Sequence, residues 1–288
     1  MAETQGRSSP TLRRRQLGAQ LRALRIERRL TVEQVAEQLL VSPSKISRIE
    51  TGHRGASVRD IRDLSDLYQV DDDVRQELFR WANEARQRGW WQPLHLPYST
   101  FVGLEAAAAS ISDFSLGLLP GLLQTSDYAR ALIRAAEPDW SAELLNQHLQ
   151  ARRTRQDVLT SGTLASYTVV MDESSIHRVV GGPSVMTAQI DRLLELNTLN
   201  NIEIHIIPYD AGALPWGINK FIILDFAERA VSTVIFVETL TQDLYLDEPS
   251  DVQKYKEKFR AVLSIALSKD ETSRVISQAR STYLRSLR

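Results

Sequence analysis

Residues 30–55, read as LTVEQVAEQLLVSPSKISRIETGHRG, constrain the fold of this chain more than any other stretch. They encode two short helices and a tight turn. Thr31 is placed to accept a hydrogen bond from a free backbone N–H at the start of the first helix. Val35, Ala36 and Leu39 then recur at helical spacing and face a core. Leu40 and Val41 form the turn. Ser42 opens the second helix, with Pro43 at the first helical position, where its missing N–H costs nothing. Ile46 and Ile49 point inward, leaving Ser44, Lys45, Ser47 and Arg48 outside. Gly52 suits a left-handed helix stop. A short helix of this kind, polar and basic on its outer face and held on a two-helix frame, fits the major groove of DNA.

The run resembles the helix-turn-helix of the Cro/phage-repressor and xenobiotic-response-element superfamily. The matching residues are Ala36, Ile46, Ile49, Glu50 and Gly52, in the form S-x-I-S-R-I-E-x-G. The resemblance extends over residues 12–70. It implies that Ser44 and Arg48 face base edges, with Ser47 within reach. An Arg48–guanine bidentate pair is worth about 1–3 kcal/mol of discrimination. Ser42, Lys45 and Arg54 fall where phosphate contacts are expected, which add affinity and salt dependence without sequence choice. One position departs from the pattern. A phosphate-binding Gln often begins the second helix of the superfamily, and here Val32 stands in its place. Thr31 and Gln34 are the candidates to replace that contact. Glu50, an acid in a basic lobe, is implied to be structural, bonding backbone or a neighbouring Arg. Arg13, Arg14 and Arg15 have two open readings: an arm reaching phosphate or the minor groove, or a solvated helix start.

Charge supports a polyanion partner at one end only. The net charge of −1 divides into +7 over residues 1–62 and −8 over the remainder, a basic lobe on an acidic chain. A solvated, Arg-rich helix surface explains the same bias. The absence of cysteine excludes disulfides, thiolate metal sites and a Cys nucleophile. No apolar run approaches the roughly 20 residues that span a bilayer, and residues 1–15 lack the apolar core of a signal peptide. A cytoplasmic protein without membrane contact is therefore expected.

The 288 residues are enough for two domains. A flexible arm is expected over residues 1–10 and a helical DNA-binding domain over 11–88. Its first helix covers 11–29, striped by Leu17, Leu21 and Leu24. Its fourth is capped by Ser57 and striped by Val58, Ile61, Leu64 and Leu67; a fifth covers about 73–88. Residues 89–100 (GWWQPLHLPYST) break all period and read as a domain joint, packed because of Trp90 and Trp91. Beyond it, residues 101–288 alternate. Helices are expected over 103–114, from a Ser126 cap, and over 142–160, 183–200, 249–267 and 270–287. Strands are expected over 164–171, 202–207, 220–225 and 232–237. The predicted class is thus multi-domain: an all-α helix-turn-helix domain followed by an α/β (α+β) domain with a small sheet of about four strands.

The runs LEAAAASISDFSLGLLPGLLQTSDYARALI and VVMDESSIHRVVGG, with IIPYDAGA and VIFVETLT, carry a second resemblance. Over residues 102–284 the chain is similar to the domain that follows a helix-turn-helix in actinobacterial, WhiJ-like regulators. That resemblance implies an antitoxin-like transcriptional regulator, often encoded beside a very small partner protein.

Chemistry in the second half is thin. Asp172 and Glu173 sit at a strand end near Ser174, Ser175 and His177, but G-x-S-x-G, Gly-rich phosphate loops and H-E-x-x-H are lacking. His148, His177 and His205 show no ligand spacing. No catalytic residue, metal or cofactor is expected, and Asp-Glu-Ser-Ser reads as a helix cap. Leu119 and Leu122, in LLPGLLQT, are candidates for ligand or partner contact, with domain-joint packing the favoured reading. Tyr209, Trp216 and Phe221 are candidates to line a ligand cleft, and core packing explains them equally well. The expected function is operator reading through the third helix by a homodimer on an inverted repeat of double-stranded DNA, with a C-terminal domain that dimerises and receives a signal from a ligand or small protein. Two rivals stand beside it: an antitoxin that mainly sequesters a neighbouring small protein, and a hydrolase tethered to DNA.

Overall fold

Backbone caps define the first half of the chain. A computed structural model describes residues 9–94, 96, 98–214, 219–228 and 231–286. The expected arm falls mostly outside these residues. Its last two, Ser9 and Pro10, are buried instead, as the cap and first residue of α1 (Pro10–Glu27). Helices α2 (Val32–Gln38), α3 (Pro43–Glu50), α4 (Val58–Leu67) and α5 (Asp72–Glu84) follow. The side chains of Ser9, Thr31, Ser42 and Ser57 each accept from a backbone N–H of the first turn they precede. Thr31 with Gln34, and Ser57 with Asp60, close reciprocal capping boxes.

The helix ends share one device. After α1, α2 and α4 the chain enters the left-handed region at Arg29, Leu40 and Gln69, with φ of 56°, 53° and 48°. In each case two backbone bonds fold the turn back, as in Val41 N to Ala36 O at 2.9 Å and Leu40 N to Glu37 O at 3.2 Å. This is the Schellman closure, here made three times without glycine. Among helices α1 to α5, only α3 ends on glycine, at Gly52 with φ of 71°. Arg28 adds a side-chain cap, donating to the carbonyls of Tyr68 and Gln69 at the end of α4.

Leu17, Leu21, Leu24, Val35, Ala36, Ile46, Ile49, Ile61, Leu64, Tyr68, Leu78 and Trp81 form the core of this half. Val58, expected in the stripe of α4, is instead 53% exposed in its first turn. The chain divides into two units, Met1–Ala107 with Glu228–Val231, and Ala108–Ala227 with Ser232–Arg288. The expected joint at 89–100 therefore belongs to the first unit, together with α6 (Ser99–Glu105), which packs on α1. Trp91 is buried, while Trp90 is half-exposed and meets it edge-on at 5.8 Å.

In the second unit the described strands form one mixed, six-stranded sheet in the order β3-β2-β1-β4-β5-β6. The strands are β1 (Ser110–Ser115), β2 (Ser166–Asp172), β3 (Ile202–Ile207), β4 (Phe221–Asp225), β5 (Val234–Glu238) and β6 (Asp243–Leu246). β1, β2 and β3 run parallel, and β4, β5 and β6 add antiparallel. Each parallel step needs a crossover. α7 (Ser126–Ala136) and α8 (Ala142–Gln156) supply the first, and α9 (Ser174–His177) and α10 (Pro183–Asn197) the second. α11 (Pro249–Ile265) and α12 (Lys269–Ser286) finish the chain.

Two strands were not expected. The Ala-rich run read as a helix over 103–114 ends its helix at Glu105, and Ser-Ile-Ser-Asp-Phe-Ser becomes the central strand β1. Its pairing with β2 and β4 overrides the local helix preference of the alanines before it. β6 is a four-residue edge strand, half-buried throughout, whose sequence carries almost no period. The cap of α7 is Thr125, one residue before the expected Ser126.

Gly18 sits inside α1, where glycine is ordinarily unfavourable by roughly 1 kcal/mol relative to alanine. A Cβ there would lie 2.5 Å from the carbonyl oxygens of both Ile49 and Glu50. Gly18→Ala is therefore expected to destabilise the chain by about 1–3 kcal/mol despite its better helix propensity. Urea unfolding measures this, and an increase in stability would show that α1 and α3 are not in such close contact.

Candidate nucleic-acid interface

Helix α3 turns two faces in opposite directions. Ile46, Ile49 and Glu50 are buried, while Ser44, Ser47 and Arg48 are exposed. Among the described residues, the side chains of Ser44, Ser47 and Arg48 make no hydrogen bond or ion pair, so their donors and acceptors are available to a ligand. At spacings of three and four they share one helical face.

Glu50 is the anchor of the opposite face. Its carboxylate accepts from Arg25 Nε at 2.7 Å and from Arg25 Nη2 at 2.9 Å, a two-point pair. Arg25 Nη1 also donates to the Leu30 carbonyl at 2.8 Å, tying the α1–α2 turn to the same pair. The hydrogen bond to Glu50 holds the Arg25 guanidinium above its ordinary range, against the burial that opposes it. Burial, and after it the Glu50 charge, push the Tyr68 phenol upward. The acid that looked out of place in a basic lobe is therefore part of the frame.

The residues expected at phosphate divide into two groups. Arg54 is exposed and has no side-chain partner among the described residues. Thr31 and Gln34 are exposed at the head of α2, where the capping box uses the Thr31 hydroxyl and Gln34 Oε1 as acceptors. Their hydroxyl hydrogen and amide NH₂ are left outward as donors. Ser42 caps α3 through its Oγ.

Lys45 is committed elsewhere. Its ammonium lies 2.5 Å from Asp60 Oδ1, joining α3 to the cap of α4. Burial alone would raise the Asp60 carboxyl, but the bonds from Lys45 and Ser57 outweigh it and hold the group below the usual carboxylate range.

Arg13, Arg14 and Arg15 do not form an arm. All three lie in the first turns of α1 and are half-buried. Arg13 pairs with Glu84 at 2.5 Å. Burial depresses Arg14. The backbone of Arg15 abuts Gly52, whose added Cβ would lie 3.0 Å from the Arg15 Cα. Their positions are used by packing, which removes the freedom an arm needs.

The candidates of the second unit are placed differently from expectation. Leu119 and Leu122 are each 3% exposed and belong to packing rather than to an accessible surface; Leu116 and Leu118 are the exposed leucines there. The irregular backbone around them is held by three glutamines. Gln124 donates to the Leu119 carbonyl at 2.7 Å, Gln156 to those of Gly121 and Gln124, and Gln189 to that of Leu123 at 2.8 Å. Gln189 Oε1 also accepts from Thr125 N at 2.6 Å. Side-chain amides that satisfy loop carbonyls leave no periodic signal in a sequence, so this device is not legible there.

Tyr209 is 62% exposed and stacks on His177 at 6.0 Å, away from Phe221, which is buried among Phe114, Tyr255 and Phe259. Trp216 lies outside the described residues. Glu173 accepts from the backbone of Tyr209 at 2.8 Å and lies 3.2 Å from His177 Nε2, while Asp172 accepts from the backbone and hydroxyl of Ser174. The acids at the end of β2 thus brace two loops. His148 is buried beside Trp140, and His205 meets the Leu267 carbonyl at 2.9 Å.

Comparison with known proteins bears on both units. Residues 98–278 match a family described as a domain of unknown function, DUF5753. The chain belongs to the DUF5753 family. Its residues 16–78 match a helix-turn-helix domain, in the unit where α2 and α3 form that motif, which supports a DNA-binding regulator. No curated protein and no solved structure matches the chain. Among the described residues of this DUF5753 protein, no helix is long and apolar enough to cross a membrane, and no group of three or more His, Asp or Glu is placed to hold a metal ion.

Removing one partner of the Arg25–Glu50 pair strands the other in a largely buried setting. Glu50→Ala is expected to lower unfolding free energy by about 3 kcal/mol. Adding Arg25→Met should then cost much less than it does alone. A double-mutant cycle by urea unfolding checks this, and additive losses would mean the two side chains do not act as a pair.

Proposed function

We propose that this chain is a sequence-specific, DNA-binding transcriptional regulator of the cytoplasm that reads an operator through α3. The observation that carries the reading is the outward face of α3, where Ser44, Ser47 and Arg48 are exposed and uncommitted while Ile46, Ile49 and Glu50 fix the helix from behind. In this reading Ser44, Ser47 and Arg48 meet base edges. Thr31, Gln34, Ser42 and Arg54 meet phosphate, and Lys45 joins them only by leaving Asp60. One such helix covers too few base pairs for genomic specificity, so the protein acts as a homodimer on an inverted repeat. The second unit supplies the dimer contact and receives a signal. It is read as non-catalytic, because Asp172 and Glu173 are spent on loop bracing.

A second reading, sequestration of a small protein encoded nearby in the manner of WhiJ-like, antitoxin-like regulators, is favoured by one feature. Leu116, Leu118, Val179, Tyr209 and Leu240 are the exposed large apolar residues of loops that leave the carboxyl ends of β1, β2, β3 and β5. Those four strands run in the same sense, so the side chains gather at one edge of the sheet. Co-purification of a stoichiometric small partner from the native host tests this reading.

The regulatory reading is tested by titrating the full-length protein onto its own upstream DNA and onto random DNA at near-physiological salt. A preference of about 10³ or more is expected. Arg48→Ala should lose about 1–3 kcal/mol on the operator and little on random DNA. Arg54→Ala should weaken both equally and lower the salt slope by about one. Equal losses for Arg48→Ala on the two DNAs would remove α3 from base reading. Asp60→Asn frees Lys45 and is expected to tighten random-DNA binding while steepening its salt dependence by about 0.9.

A further inference from the structure

The open end of the α11–sheet core forms a cleft of about 200 Å³, lined by Asn219, Lys220, Phe221, Val237, Lys254, Tyr255 and Lys258. Phe221 begins β4 and Val237 lies near the end of β5, next to the register pair Ile222–Phe236. Both belong to the apolar cluster that Phe259 and Val262 of α11 cover. Tyr255 meets Phe221 edge-on at 5.0 Å with their planes 66° apart, so the two rings form an apolar corner.

The rim has the opposite chemistry. Lys254 and Lys258 are one helical turn apart on α11 and share a face, and Lys220 approaches from the strand side. The lining holds three ammonium groups and no carboxylate. Lys220 is held by Glu238 at 3.0 Å and Lys254 by Asp251 at 3.4 Å, both from outside the lining. Lys258 has no such partner among the described residues. A single uncompensated cation at the mouth of an aromatic corner selects for one negative charge on a small apolar body. The volume is below the ~300–1,000 Å³ of drug-sized sites, which limits the ligand to a small molecule.

We propose that this cleft binds a small aromatic carboxylate, its ring against the half-buried Tyr255, with the buried Phe221 and Val237 closing the floor, and its anion at Lys258. That this ligand is the signal of the second unit rests on the regulatory reading above; binding itself does not, so the two fail separately.

Calorimetric titration of the full-length protein with benzoate, benzamide and inorganic phosphate tests the assignment without DNA. Benzoate is expected to bind saturably at one site per chain. Benzamide, matched in shape but neutral, should bind about tenfold more weakly or worse, equivalent to about 1.4 kcal/mol. Phosphate, an anion with no apolar body, should not compete. Lys258 is exposed, so Lys258→Glu should abolish benzoate binding with an unchanged unfolding midpoint. Lys258→Arg should retain it. Absence of saturable benzoate binding would overturn the proposal. Equal affinity for benzamide, competition by phosphate, or binding unchanged in Lys258→Glu would each overturn it as well.

Discussion

The approach of α1 to the carboxyl end of α3 fixes everything that the first unit presents outward. Gly18 gives up a side chain so that the carbonyls of Ile49 and Glu50 can come within reach of its Cα. Gly52 does the same against Arg15 one step later. The Arg25–Glu50 pair then sets the rotation of α3 about its own axis, because Glu50 must face α1 to reach both guanidinium nitrogens. With Glu50, Ile46 and Ile49 turned inward, 3.6-residue periodicity leaves Ser44, Ser47 and Arg48 facing out. A bidentate pair is stricter about geometry than apolar packing, which tolerates small rotations, and this is a physical reason for an ionic group at that position.

The second unit solves a different problem. A mixed sheet needs crossovers between its parallel strands, and the first crossover begins with the irregular run 116–125, whose backbone is partly buried. Unpaired carbonyls there would each cost on the order of 1–3 kcal/mol. Gln124 of the run itself, Gln156 of α8 and Gln189 of α10 supply the missing donors. Among the described residues of β1, Asp113 is a buried acid within this sheet, and the Tyr167 hydroxyl donates to it at 3.1 Å. Both features make the unit specific through polar satisfaction rather than through apolar area alone.

Legibility followed the range of the interactions. The caps at Thr31, Ser42 and Ser57, the stop at Gly52, and the inward Ile46 and Ile49 depend on neighbours within four residues, and all were readable from the sequence. The strands β2, β3, β4 and β5 were readable from apolar alternation and β-branched content. The residues of β1 carry only a local helix pattern, because their neighbours in the sheet lie more than fifty residues and more than a hundred residues away along the chain. Arg13, Arg14 and Arg15 admit both an arm and a solvated helix start for the same reason. Their partners Glu84 and Gly52 are remote in sequence, and nothing local distinguishes a paired arginine from a solvated one. Lys45 is the mirror case: a surface lysine by pattern, held by Asp60 in space.

The sequence by itself determined the helix-turn-helix, the division into a helical and a mixed unit, and the residue types on the outer face of α3. These follow from local backbone chemistry and from periodicity, which act within a few residues. Only the tertiary structure decided which cations remain uncommitted, which leucines of LLPGLLQT are buried, and that Phe221 shares a cleft with Lys258 rather than with Tyr209. Those outcomes depend on which side chains of distant segments meet. Charge neutralisation and burial are properties of such meetings, and neither is written in the residues taken one at a time.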